Sequence, residues 1–260
     1  MDQENLSSTQ PVSQERPGIP SLLISVFTSP SSVFGALTGK TVWIIPFVII
    51  VIIGATIASP GGYFIRPIMS RDLYPTILQN IEQRYKAQLG EEQFNEIKAK
   101  MDQDMREKME NPFKWYDILT YSGFPFVISV VIAAICIISG NFLFGGKSNF
   151  WIVMNVVVFA ALIGVLGDAI RGILVLLKDS IYVYTGLGLL KPTDNGSFLF
   201  YLLRQVDLFS VWRIAVTAIG LGAIYNMKPK RFAYVLFSVW IVFIVLVALA
   251  NMFTGGSILY

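Results

Sequence analysis

The 260-residue chain has no histidine and a single cysteine, Cys136. The first absence removes the commonest general base and the commonest transition-metal ligand. Ser-His-Asp and Cys-His nucleophile systems are thereby excluded, as are zinc sites of the usual Cys/His kinds. One cysteine forms no internal disulfide, and Cys136 lies in an apolar run, where a thiolate is disfavoured. Charge is also scarce. Asp, Glu, Lys and Arg make up 14% of the chain, against roughly 25% in an ordinary soluble domain. No Walker loop is present, and Gly186-Leu187-Gly188 lacks the third glycine of a dinucleotide fingerprint. The net charge of +3 comes without a basic face interleaved with aromatics, so no nucleic-acid partner is expected. No catalytic, cofactor-binding or metal-ligating set emerges from these residues.

What the chain does have is apolar surface. Hydrophobic residues are 54% of the sequence and the mean hydropathy is +0.62. A soluble globule of this size has too little interior to hide so much. The apolar residues are concentrated in charge-free runs. Thr41 to Ile65 has 25 uncharged residues, Ile118 to Gly146 has 29, Ser148 to Gly167 has 20 and Phe232 to Tyr260 has 29. Each is long enough for a helix crossing a bilayer, which needs ~20 residues. A fifth segment, Gln205 to Met227, is interrupted only by Asp207 and Arg213. Backbone amides in lipid must bond within their own segment, and strand-like alternation is absent, so helices are expected over about 41–60, 118–142, 149–176, 205–227 and 231–253. The expected fold is an all-α integral membrane protein: five transmembrane helices with a soluble helical hairpin between spans one and two.

The segments between these runs differ in character. Residues 1–20 are rich in Gln, Ser, Glu and Pro and read as a disordered tail. Residues 21–40 carry Leu22, Leu23, Val26, Phe27, Val33, Phe34 and Leu37, with Ser29-Pro30 marking a helix start. An interfacial amphipathic segment is expected there. Arg66 to Asp117 holds 19 of the chain's 37 charges. Two helical patterns run through it, separated by Leu89-Gly90-Glu91, where glycine ends one helix and acids open the next. The Met101, Met105 and Met109 stripe reads as a packing face, since no His or Cys accompanies it. Ser180 to Phe200 is apolar but broken by Gly186, Gly188, Pro192 and Gly196, too interrupted for a span. Asn195-Gly196-Ser197 matches a glycosylation triplet, a frequent chance occurrence.

Orientation follows from the short basic loops. Lys228, Lys230 and Arg231 lie between spans four and five, and Lys147 between spans two and three. Cytoplasmic placement of both puts the N-terminus inside and the C-terminus outside. The hairpin then lies outside, and its nine basic residues run against a simple count. In that topology span three ends, and span four begins, on the outer side. Asp168, Arg171, Lys178, Asp179, Arg204, Asp207 and Arg213 gather there. Asp168 and Arg171 share a helix face, and Arg213 lies ~9 Å along the helix from Asp207. Two readings stand. Asp168, Asp207 and Arg213 form a polar vestibule or ion site, or the cluster is a set of structural ion pairs and snorkelling side chains. Gly54/Ala58, Ser129/Ala133, Ala160/Gly164 and Ala218/Gly222 have the small-xxx-small spacing of close helix contacts, within the chain or in a homo-oligomer.

Two stretches carry a family likeness. Ser29-Pro30-Ser31-Ser32-Val33-Phe34 precedes a first span containing Trp43 and Pro46. Asp207-Leu208-Phe209-Ser210-Val211-Trp212 precedes Ala218-Ile219-Gly220-Leu221-Gly222. Together they resemble the Yip domain family, the Ypt-interacting proteins, and its bacterial branch in particular, over about residues 22–254. The resemblance implies a five-span bundle over 41–254 with a cytoplasmic N-terminus and a bacterial cytoplasmic membrane location. The eukaryotic members associate with Rab/Ypt GTPases in vesicle traffic. The short tail and the long charged hairpin depart from those members, so a Rab-type GTPase partner is not expected. The functional expectation is a non-enzymatic membrane scaffold or interaction protein, with a protein partner on residues 66–117. The alternative is a small transporter or permease component using the polar cluster.

Overall fold

The computed structural model describes residues 18–56, 62–110, 117–191 and 197–254. Among these the regular structure is helical, with one isolated bridge between Gly186 and Asp207. Four helices are long and apolar enough to cross a membrane: Gly123–Leu143, Phe150–Lys178, Leu208–Tyr225 and Pro229–Met252. They belong to α5 (Asp117–Ile137, continued by a π-helical turn over Ile138–Leu143), α6 (Phe150–Lys178), α8 (Leu208–Tyr225) and α9 (Pro229–Thr254). The first expected span is described over part of its length. Its helix, α3, is Ile44–Thr56, 13 residues, which rise about 20 Å against a hydrocarbon core of about 30 Å. Beyond Thr56 the expected span continues into residues 57–61, outside the described residues, as are 1–17 of the expected tail and Asn195-Gly196 of the glycosylation triplet.

Helix α6 is central. Met154, Phe159 and Ile163 on it are fully buried, and it packs against α3, α5 and α8. The α6–α8 crossing is antiparallel and close because glycines line it. The α-carbon of Gly167 faces Phe209, that of Gly164 faces the Arg213 guanidinium, and that of Gly220 faces Val156. Side chains on α5 and α9 such as Phe124, Val131, Phe142, Val242, Phe243 and Leu246 point outward and are exposed. That arrangement is costly in water and natural against acyl chains.

The segment expected at the membrane interface packs into the bundle. It forms α1 (Ile19–Ser25) and α2 (Pro30–Ala36), each opened by a proline in its first turn. Val26, Val33, Phe34 and Leu37 are buried. Phe27 meets the Trp212 ring edge-on at 6.0 Å, Phe34 sits over Gly220, and Thr38 lines a cavity with Ile224. Residues 27–38 therefore lie along α8 over about 18 Å of its length.

Between α3 and α5 runs α4 (Gly62–Glu110), a helix broken at Gly90, whose φ of 79° and ψ of 167° are open to glycine and strained for other residues. The chain reverses there. The Tyr74 hydroxyl on the first arm bonds the Asp102 carboxylate on the second, which sets the two arms side by side as a hairpin. Phe94, just past the break, is buried. Residues 181–191 are turns ending in a single 3-10 turn, and α7 (Phe198–Arg204) then packs on α9 through Phe200 and Tyr201. Ser197 caps α7, its hydroxyl accepting from Phe200 N–H at 3.2 Å.

Candidate functional site

The antiparallel α6–α8 crossing brings the predicted polar residues together at one end of the bundle. Asp168 on α6 interacts electrostatically with Arg171, Arg213 and Asp207. Arg213 lies against Gly164, one turn before Asp168. Asp207 is placed differently from the sequence expectation. The span was expected to begin at Gln205 with Asp207 inside it. The helix instead begins at Leu208 and Asp207 is its N-cap. Its carboxylate accepts from Phe209 N–H at 2.9 Å, Ser210 N–H at 3.1 Å and the Ser210 hydroxyl. Aspartate is favoured at that position because it satisfies amides that have no partner within the helix. Backbone bonding with the 185–187 segment (Leu187 N–H to Val206 C=O, 2.9 Å) fixes the approach to the cap. Within the family-like motif, Leu208 is exposed, Phe209 packs on Gly167, Ser210 completes the cap and Trp212 receives Phe27.

At the same end, α4 docks onto the bundle through Arg71 and Asp72, which sequence reasoning did not single out. The Arg71 guanidinium donates to the Asp179 carboxylate at 2.6 Å and to the Asp179 carbonyl. Asp72 accepts from Arg71 at 2.9 Å and from Ile181 N–H at 3.0 Å, and the Tyr182 hydroxyl donates to the Asp72 carbonyl at 3.2 Å. Ile65 and Ile68 complete the joint against Leu174, Val175, Ile181 and Val183. Burial works to raise the Asp72 carboxyl, but the Arg71 guanidinium and the Ile181 amide outweigh it and hold the group below its ordinary range. Burial, reinforced by the bond to Asp102, pushes the Tyr74 hydroxyl up to about 12, so it remains a donor at neutral pH.

The opposite end is built from three loops that meet. Asn155, 1% exposed, accepts from Val42 N–H at 2.9 Å and donates to Lys40 C=O at 2.5 Å, which ties the α2–α3 connection to α6. Asn141 bonds both backbone groups of Ser148 at 3.1 Å and accepts from the Tyr225 hydroxyl at 2.8 Å. That ties the α5–α6 loop to the end of α8. Trp43 and Trp151 stack here at 5.6 Å and 10°. Lys40, Lys147 and Lys228 belong to these three connections, and Lys230 and Arg231 to the first turn of α9.

Two features of this layout, five apolar helices with α6 at the centre and a charged hairpin inserted after the first, agree with the likeness drawn from the Ser29–Phe34 and Asp207–Trp212 stretches. The sequence matches the Yip1 domain over residues 24–250. The chain belongs to the Yip1 domain family. It is also 29% identical over 117 residues to a protein of Bacillus subtilis (strain 168) named membrane protein YknW, covering 43% of this chain and 50% of that one. The match thus spans about half the length of that curated relative. No solved structure matches the chain. Family membership, together with the apolar helices, makes this a multi-pass membrane protein.

Proposed function

We propose that this Yip1-family protein is a non-enzymatic membrane scaffold or interaction protein whose hairpin, residues 66–117, presents the partner surface. The observation that carries the reading is the docking of α4 on the end of α6 through Arg71, Asp72, Asp179 and Ile181. A connection that merely joined two spans needs only a few residues. This one spends a 49-residue broken helix and anchors its base, so that the exposed charges beyond Gly90, among them Glu91, Glu92, Lys98 and Lys100, are held at a set distance from the bundle. The proposed orientation places the N-terminus and the basic end on the cytoplasmic side, with the C-terminus and the hairpin outside, in a bacterial cytoplasmic membrane. The Bacillus relative's name supports the membrane part of that statement.

The test is in-membrane crosslinking followed by mass spectrometry, comparing the full chain with a variant in which Glu91, Glu92, Lys98 and Lys100 are reversed in sign. Loss of one or more crosslinked partners supports the reading; an unchanged partner set overturns it. A second reading, a small transporter or permease component, is favoured by the meeting of Asp168 and Arg213 at the α6–α8 crossing. It predicts that D168N abolishes substrate movement while the protein folds and inserts normally.

A further inference from the structure

An open cavity of about 530 Å³ lies at the basic end, lined by Thr38, Gly39, Lys147, Ser148, Ile152 and Ile224 among others. Its chemistry is one-sided. The three stretches that build this end, residues 21–56, 118–167 and 208–254, contain no aspartate or glutamate, while the connections between their helices and the first turn of α9 carry Lys40, Lys147, Lys228, Lys230 and Arg231. Every formal charge around the cavity is therefore positive. The opposite end mixes Asp72, Asp168, Asp179 and Asp207 with its cations. The lining is also amphipathic, with Lys147, Ser148 and Thr38 beside Ile152 and Ile224. The stacked Trp43 and Trp151 at the adjoining helix starts mark the level where indoles settle among lipid headgroups.

We propose that this cavity binds the headgroup of an anionic phospholipid. The phosphate lies against Lys147, and the glycerol and first methylenes run over Ile152 and Ile224. Phosphate is the shared chemistry of a lipid headgroup and a free anion. The apolar part of the lining and the Trp level select the lipid, whose chains remain in the bilayer. The site goes beyond the scaffold reading and does not depend on it.

Native mass spectrometry of the full chain, purified in detergent and equilibrated with equal amounts of phosphatidylglycerol and phosphatidylcholine, tests it. Phosphatidylglycerol is expected to be retained in preference. K147Q should reduce that preference about fivefold, the weight of one cation near an anionic surface. K147R should restore it, and K178Q, at the other end of α6, should leave it unchanged. Lys147 is exposed, so K147Q should melt with the wild type, and the K147R rescue reads out the site independently of folding. Equal retention of the two lipids overturns the proposal, as does a K147Q protein that behaves as wild type or a K178Q protein that loses as much. Displacement of the lipid by millimolar inorganic phosphate, with the same dependence on Lys147, would assign the site to a free anion instead and equally overturn it.

Discussion

The guanidinium of Arg71 reaches the carboxylate of Asp179 at 2.6 Å across 108 positions of sequence. The two side chains are 54% and 66% exposed, so water screens the pair and its role is positional. Asp72 beside them is only 12% exposed and holds the Ile181 amide. The hairpin is thus registered to the end of α6 by one solvated pair and one buried acceptor, and the buried acceptor carries most of the holding.

That division predicts a pH dependence. In the docked state the Asp72 carboxyl is held below its ordinary value of 3.8, so folding favours its ionised form. The resulting stabilisation is complete above 3.8 and is lost as pH falls through the lower docked value. Acidification toward that range should release the base of α4, seen as faster amide exchange over residues 66–80. D72A removes the acceptor and leaves the Ile181 amide unpaired, at a cost of about 1–3 kcal/mol. It should show the released exchange already at pH 7 with no further acid response. Exchange over 66–80 that is the same in D72A and wild type would refute the assignment.

Asn155 makes a second prediction. It satisfies Lys40 C=O and Val42 N–H from inside an otherwise apolar helix face. N155A leaves both backbone groups without their partner, about 1–3 kcal/mol for each one that stays buried. The melting temperature in detergent should fall clearly, and N155D, which buries a carboxylate against the Lys40 carbonyl, should fall at least as far. A melting temperature for N155A equal to wild type would show that the 40–42 connection is held by other contacts.

Asp207 separates the structural from the transport reading. As an N-cap it is replaceable by serine, and D207A should cost about 1 kcal/mol where D207S costs a fraction of that. If stability follows this cap order and crosslinked partners are retained by D207S, the charge itself is dispensable. A D207S protein as unstable as D207A would mean the carboxylate charge is needed beyond the cap.

These residues differ in how far the sequence reveals them. The long helices are legible because charge-free runs of bilayer length have few other solutions, and the hairpin's break is legible because Gly90 followed by two acids is a stop and a start at once. The gathering of Asp168, Asp207 and Arg213 follows from running two consecutive helices antiparallel, which sets the end of one beside the start of the next. The start of α3 is not legible, because charge-free length does not say where a helix begins inside the run. The seat of Phe27 and Phe34 along α8 is hidden for a different reason. Their spacing says that one face is apolar, and whether that face meets lipid or Gly220 is decided by helices far away in sequence. Arg71 and Asp72 were two among 19 charges in their segment, and only the fold distinguishes them. Asn155 had a weak signal, a lone amide within a valine-rich run, where an unpartnered polar group would be costly.

The glycines of the apolar helices give the last prediction, because the structure sorts them. A methyl group added at Gly220 would sit 2.5 Å from Val156 Cγ1 and 2.8 Å from the Phe34 ring, whereas one added at Gly54 meets nothing within 4 Å. The first position is where α2, α6 and α8 meet, between fully buried side chains that have no room to rotate away. G220A should therefore destabilise the bundle by about 1–3 kcal/mol, the usual cost of overpacking a filled core, and G54A should be neutral. The clash has a named partner, so V156A, which costs stability on its own by leaving a cavity, should cost less in the G220A background than in the wild type. A double-mutant cycle in detergent, with melting followed by intrinsic Trp fluorescence, reads the coupling directly. Additive effects would place Phe34, rather than Val156, as the side chain that must yield.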